Sequence, residues 1–155
     1  MEFVSENSKL LLKNIIRYRA LILNNDIDTI ISKMSDYVSS FGAKTMRVLT
    51  ITQGLNFETG IQRLDMEFMV EANQPIKGNN IYRFIPEYKL ANTISSKYVG
   101  HPQNANMATK EVQQYIQKKA LRPITAVHQV VNNMAKEKKL KQKNIINIEV
   151  HVGVE

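Results

Sequence analysis

The sequence predicts an α+β fold in two layers. A duplicated strand-helix-strand-strand (β-α-β-β) module builds a mostly antiparallel sheet with two helices on one face. Three observations lead there. The apolar positions Ile27, Ile30, Ile31, Met34, Val38 and Phe41 trace one face of a helix. Leu64 to Glu71 and Ile145 to Val154 alternate with the period of two that marks a strand. The elements also return at a near-constant interval: helices begin near 27 and 106, middle strands near 46 and 124, last strands near 64 and 146. A repeat of about 80 residues is too long for a solenoid unit, so it reads as an internal duplication. Antiparallel strands with helices segregated to one face are an α+β arrangement.

Each element has a local reason. Leu10 to Leu23 is rich in Leu, Ile and Tyr and reads as a long strand. Asn24, Asn25 and Asp26 supply a turn and a helix cap, with the Asp26 carboxylate expected to accept from the first-turn N–H groups. Gly42 supplies a left-handed residue after the last turn. Arg47 to Gln53 is the next strand, and a loop runs from Gly54 through Gly60. In Leu64 to Glu71 one face carries Leu64, Met66, Phe68 and Val70, the other Asp65, Glu67, Met69 and Glu71. Residues 72–87 form a connector, with a short extended piece at Ile81 to Ile85 before Pro86.

The second half repeats the pattern. Tyr88 to Val99 is a strand, broken at Gly100-His101-Pro102. Asn104 or Asn106 caps a helix bearing Ala108, Val112, Tyr115, Ile116 and Ala120, which Arg122-Pro123 ends. Ile124 to Val131 and Ile145 to Val154 are the remaining strands. The chain is thus read as one domain over 1–155, with repeats 10–71 and 88–154 joined by the connector 72–87.

Composition narrows the function. The 155 residues are 43% hydrophobic and 23% charged, ordinary for a globular domain. No apolar run approaches the roughly 20 residues of a membrane helix, and residues 1–6 lack the pattern of a signal peptide. With no cysteine, disulfides, thiol nucleophiles and thiolate metal sites are excluded, and a cytoplasmic location is the default. His101, His128 and His151 have no ligand spacing, so no metal is expected. No Gly-rich phosphate loop occurs, no catalytic signature stands out, and no cofactor is implied.

Charge is uneven. Residues 1–75 hold 8 basic and 9 acidic side chains; residues 76–155 hold 13 and 5. Much of the excess lies in Lys136 to Lys143, which has neither Arg nor an aromatic for stacking on bases. It reads as a solvated loop that guards against edge pairing, with at most weak, salt-sensitive contact to nucleic acid.

Several motifs resemble the GyrI-like proteins, the effector-binding domains of multidrug-responsive transcription regulators. Pro86 leads into the strand Tyr88 to Tyr98, Gly100 precedes the helix carrying Tyr115-Ile116, and Ile148 to Val154 is similar to the family's closing strand. Gly153 stands where that strand usually has proline, and Pro102 is displaced by one residue from the usual Gly-Pro pair. The general Lys/Asn/Ile-rich character is also similar to small Firmicute proteins encoded beside type VII secretion toxin loci.

The resemblance implies a stand-alone binding domain for a small, cationic or aromatic molecule held in a groove; some relatives hydrolyse small electrophiles with a groove Glu, but this sequence names no second catalytic residue, so a non-catalytic domain is expected. The competing class is a protein-interaction or chaperone-like accessory, with a homodimer through a sheet edge or face also open. In the family, aromatic walls and a carboxylate give the chemistry, since cations stack on rings and a carboxylate supplies counter-charge. Strand alternation places Glu67 and Glu149 opposite the core faces of their strands, as groove candidates or as solvent-facing residues. Tyr18, Tyr82, Phe84 and Tyr98 could line the groove or pack in the core. His151 shares a strand face with Glu149 and can pair with it, ordinarily at a surface.

Overall fold

The structure is a computed structural model that describes residues 4–132 and 145–155. The basic segment Lys136 to Lys143 lies outside the described residues. The element order is β-α-β-β twice: β1 Val4–Ile22, α1 Ile27–Ser39, β2 Thr45–Asn56 and β3 Arg63–Ala72, then β4 Arg83–Gly100, α2 Asn106–Lys118, β5 His128–Val131 and β6 Ile146–Gly153. The fold is α+β with antiparallel strand pairs. Contacts divide the chain into two compact units, one of Leu12–Tyr88, the other of Met1–Leu11 with Lys89–Glu155. No helix among the described residues is long and apolar enough to cross a membrane.

In the Leu12–Tyr88 unit, β3 pairs with β1 on one side and β2 on the other. Helix α1 packs on β2 and β3 with Met34 and Val38 fully buried. Phe41, expected on that face, is exposed, because the helix ends at Ser39 and the ring turns edge-on to Tyr37. Gly42 adopts φ 74° and closes the helix as expected. Asp26 does not cap it. The residue is itself in the helical region within the short 3-10 turn Asn24–Asp26, and its carboxylate reaches back to accept from Leu23 N–H. Asn14 in β1 adopts a left-handed φ of 56°, a conformation Asn tolerates and one that bends a long strand.

The polar face of β3 is not solvent-facing. Every residue from Met66 to Ala72 is buried. The cause lies on the neighbouring strands. The β1 register sets Arg19 opposite Glu67 and Arg17 opposite Met69, so both arginines lie on the carboxylate face. Arg47 from β2 grips Glu71 with two hydrogen bonds of 2.7 and 2.8 Å. Buried carboxylates are tolerated when paired in this way.

In the other unit, β6 lies between β4 and β5. Helix α2 sets Ala108, Val112 and Ile116 against Ile94, Ile148, Val150, Val152 and Val154. Three expectations are corrected here. Pro86 lies inside β4, which runs unbroken from Arg83; a strand accepts proline where no ladder bond needs its nitrogen. Neither Asn104 nor Asn106 caps α2. The His101 ring accepts from Gln103 N–H to cap the 3-10 turn Pro102–Asn104, and the chain enters α2 directly from it. The ladder of β5 begins at His128 rather than Ile124, and α2 ends at Lys118, with Ala120 left-handed at φ 51° before Arg122-Pro123.

The departure at Gly153 has a structural reason. Its N–H donates to Thr125 Oγ1 at 2.8 Å and its carbonyl accepts from Ile124 N–H. A Cβ there would lie 2.8 Å from Thr125 Cγ2. Gly153→Pro removes the donor and adds the clash, so we expect a loss of about 2–3 kcal/mol. Urea unfolding measures it; a loss below about 1 kcal/mol would show that the segment near Thr125 yields freely.

Candidate functional site

Glu149 stands at the head of a polar chain buried inside its unit. The β4–β6 register places Lys97 opposite Glu149 and Ser95 opposite His151, and the β5–β6 register places His128 opposite His151. His151 is 2% exposed and Thr93 is fully buried. The His151 ring bridges them: Nδ1 lies 2.8 Å from Thr93 Oγ1 and Nε2 lies 3.2 Å from Glu149 Oε1. Asn132 donates to the other carboxylate oxygen at 2.9 Å. With Nε2 carrying its proton, the ring donates to Glu149 and accepts from the Thr93 hydroxyl, so every member is satisfied.

This geometry fixes the charge on Glu149. The His151 hydrogen bond outweighs desolvation and, with Asn132 and the nearby Lys97, lowers its pKa to about 2. The pair is therefore not the exposed ion pair that strand alternation suggested, since burial of His151 removes it from water. Glu149 keeps 20% of its side-chain surface open. It is a permanently ionised, immobilised acceptor at neutral pH.

Glu67 belongs to the other unit and is 3% exposed. Arg17 Nη2 donates to it at 2.8 Å, while Arg19 and Gln53 reach its second oxygen at 3.5 and 3.4 Å. Arg19 also holds Asp65 through two hydrogen bonds of 3.0 and 2.8 Å. The opposite face of these strands carries a run of rings. Tyr18 tilts over the buried Phe68 at 6.5 Å, meets Tyr82 edge-on at 5.9 Å, and Tyr82 meets Tyr37 at 4.9 Å. Burial, reinforced by Tyr18 and Tyr37, pushes the Tyr82 phenol up, so it stays neutral at physiological pH. Phe84 is half-buried on β4.

Tyr98 is placed differently. It packs against the apolar core beside α2, and its hydroxyl donates to the His101 carbonyl at 2.7 Å. The structure thus gathers Tyr18, Tyr82, Phe84 and Glu67 in one unit, and Tyr98, Glu149 and His151 in the other. Sequence reasoning missed Thr93 and Asn132 beside Glu149, and Arg17 and Arg19 beside Glu67. The arginines carried a usable signal, since Arg17 and Arg19 alternate on a strand as Asp65 and Glu67 do. The contacts of Thr93 and Asn132 follow from strand register, which alternation alone does not specify. Among the described residues, no three His, Cys, Asp or Glu side chains converge as a metal site.

No protein-family model matches the chain, and no curated protein does. Solved structures share its fold. The EcmrR C-terminal domain superimposes with a TM-score of 0.64 at 13% identity, covering 98% of this chain and 95% of that one. EcmrR in its complex with DNA gives a TM-score of 0.66 at 13% identity; this chain covers only 56% of that longer protein. An uncharacterised conserved protein from Listeria innocua gives 0.63 at 8% identity, covering 96% of this chain and 91% of that one.

Proposed function

We propose that the chain is a non-catalytic, GyrI-like domain that binds a small cationic, aromatic molecule, with Glu149 as the counter-charge. The observation that carries this reading is the fold likeness to the EcmrR C-terminal domain over nearly the full length of both chains. The state of Glu149 supports it further. A general base works best with a pKa near the operating pH, and one near 2 is a poor proton acceptor at neutrality. The same property suits a fixed negative charge. Both carboxylate oxygens are already oriented by His151 and Asn132, so little ordering is lost when a cation arrives.

Crystal violet serves as the test probe, read by thermal shift and by fluorescence titration. At 100 times its dissociation constant it should add about 2.7 kcal/mol to the unfolding free energy. Glu149→Gln removes the charge and keeps one of the two acceptor oxygens, and should weaken the dye at least tenfold. Unchanged affinity in that variant would place the cation elsewhere, and absence of any binding by crystal violet would count against the cationic class. Capture of a defined protein partner in place of a dye would move the assignment to a protein-interaction module.

A further inference from the structure

Within the Leu12–Tyr88 unit a cleft of about 700 Å³ opens among Arg17, Tyr18, Arg19, Asn80, Ile81 and Arg83. Its lining residues include three arginines and no acidic residue. The two acids that meet these arginines, Asp65 and Glu67, are not part of the lining. Three positive charges against two negative leave the cleft cationic, opposite in sign to Glu149 in the other unit. Arg83 is exposed, and among the described residues its side chain meets no hydrogen-bond or ion-pair partner. Arg17 spends one N–H on Glu67 and is two-thirds buried, with 34% of its side-chain surface open. Glu67, itself buried, therefore anchors a guanidinium whose remaining donors stay available. Tyr18 and the 59% exposed Ile81 are the apolar residues of the same lining.

We propose that this cleft binds an organic anion with a flat aromatic body, its charged group held by Arg83 and the remaining N–H donors of Arg17. A planar guanidinium offers paired donors that match a carboxylate or sulfonate. Its pre-orientation by Glu67 lowers the ordering cost of recognition, and the aromatic body gains from desolvating Tyr18 and Ile81. An apolar molecule without charge would leave the arginines unused. A small inorganic anion would leave these apolar residues unused. The site is independent of the Glu149 reading, since it uses other residues and the opposite charge.

The probe is 8-anilinonaphthalene-1-sulfonate, followed by its fluorescence in titrations with the full chain. We expect saturable binding of one probe per chain that weakens as salt rises. Arg83→Ala should raise the dissociation constant at least tenfold with an unchanged urea midpoint, because the side chain is exposed and unpaired. Arg83→Lys should recover part of the loss. N-phenyl-1-naphthylamine, the same body without the sulfonate, should bind at least tenfold more weakly, and inorganic phosphate at equal concentration should not displace the probe. Glu149→Gln should leave the sulfonate affinity unchanged, which separates this test from that of the cationic dye. Equal binding of the uncharged probe, displacement by phosphate, or indifference to Arg83→Ala would each overturn the proposal.

Discussion

Replacing His151 by alanine is expected to lower the unfolding free energy by about 3–4 kcal/mol, the largest loss we foresee for a polar position. The ring is 2% exposed and joins two strands' worth of polar groups. Its removal leaves a cavity of the kind that costs about 2–5 kcal/mol when a large buried side chain is truncated. It also strips Thr93 Oγ1 of the ring nitrogen 2.8 Å away, in a place where no water reaches the fully buried Thr93. A buried polar group left without its partner costs about 1–3 kcal/mol. Glu149 fares better, since Asn132 still holds one oxygen. Partial relaxation of the cavity keeps the total below the simple sum. Thr93→Val, nearly isosteric, should cost only about 1–2 kcal/mol because it removes one hydrogen bond and leaves the packing. Urea midpoints with unchanged slopes would measure both. A double-mutant cycle should show coupling, because each change removes the same contact. A loss for His151→Ala under about 1 kcal/mol would mean that water already occupies this chain of groups.

The sequence made the module order legible because each module declares itself through local physics. The helical period of Ile27 to Val38 and the alternation of Ile146 to Val154 follow from side-chain direction alone. Glu149 and His151 were visible as neighbours on one strand face for the same reason. Their depth was not. Alternation says which residues share a face, and it does not say whether that face meets water. The same gap hid the burial of Glu67: the alternating acids of β3 look solvated until the register of β1 lays Arg17 and Arg19 across them. Helix termini failed for a different reason. Asp26 and Asn106 are good cap residues by type, yet short 3-10 turns at Asn24–Asp26 and Pro102–Asn104 changed which backbone groups needed partners. The helix-capping preference is real, but it acts on whichever residue the preceding turn leaves at the boundary.

Acid should strip stability from the native protein in a window set by Glu149, and the variant Glu149→Gln should lack that component. The sign follows from the pKa. Folding lowers the Glu149 pKa from an ordinary value of 4.5 to about 2, chiefly through the His151 hydrogen bond. Between those values the unfolded chain binds more protons than the folded one, so stability falls as pH falls. The contribution is fully present above about pH 5 and is lost as pH drops through 4 and 3 toward 2. A full shift of this size corresponds to roughly 3 kcal/mol, and the partial exposure of the carboxylate brings the expected figure nearer to about 2 kcal/mol. Other carboxylates also titrate here, Asp65 among them, whose pKa the Arg19 hydrogen bonds hold down. The informative quantity is therefore the difference between native protein and variant. At pH 6 Glu149→Gln should be the less stable by at least about 2 kcal/mol, since glutamine forfeits the charge and one of the two acceptor oxygens. Near pH 2.5 most of the charge-dependent difference should be gone, because the native carboxyl is then about a quarter protonated when folded and almost wholly protonated when unfolded. A difference that stays constant from pH 6 to 2.5 would mean that the variant loses packing rather than charge, and that His151 does not hold Glu149 ionised.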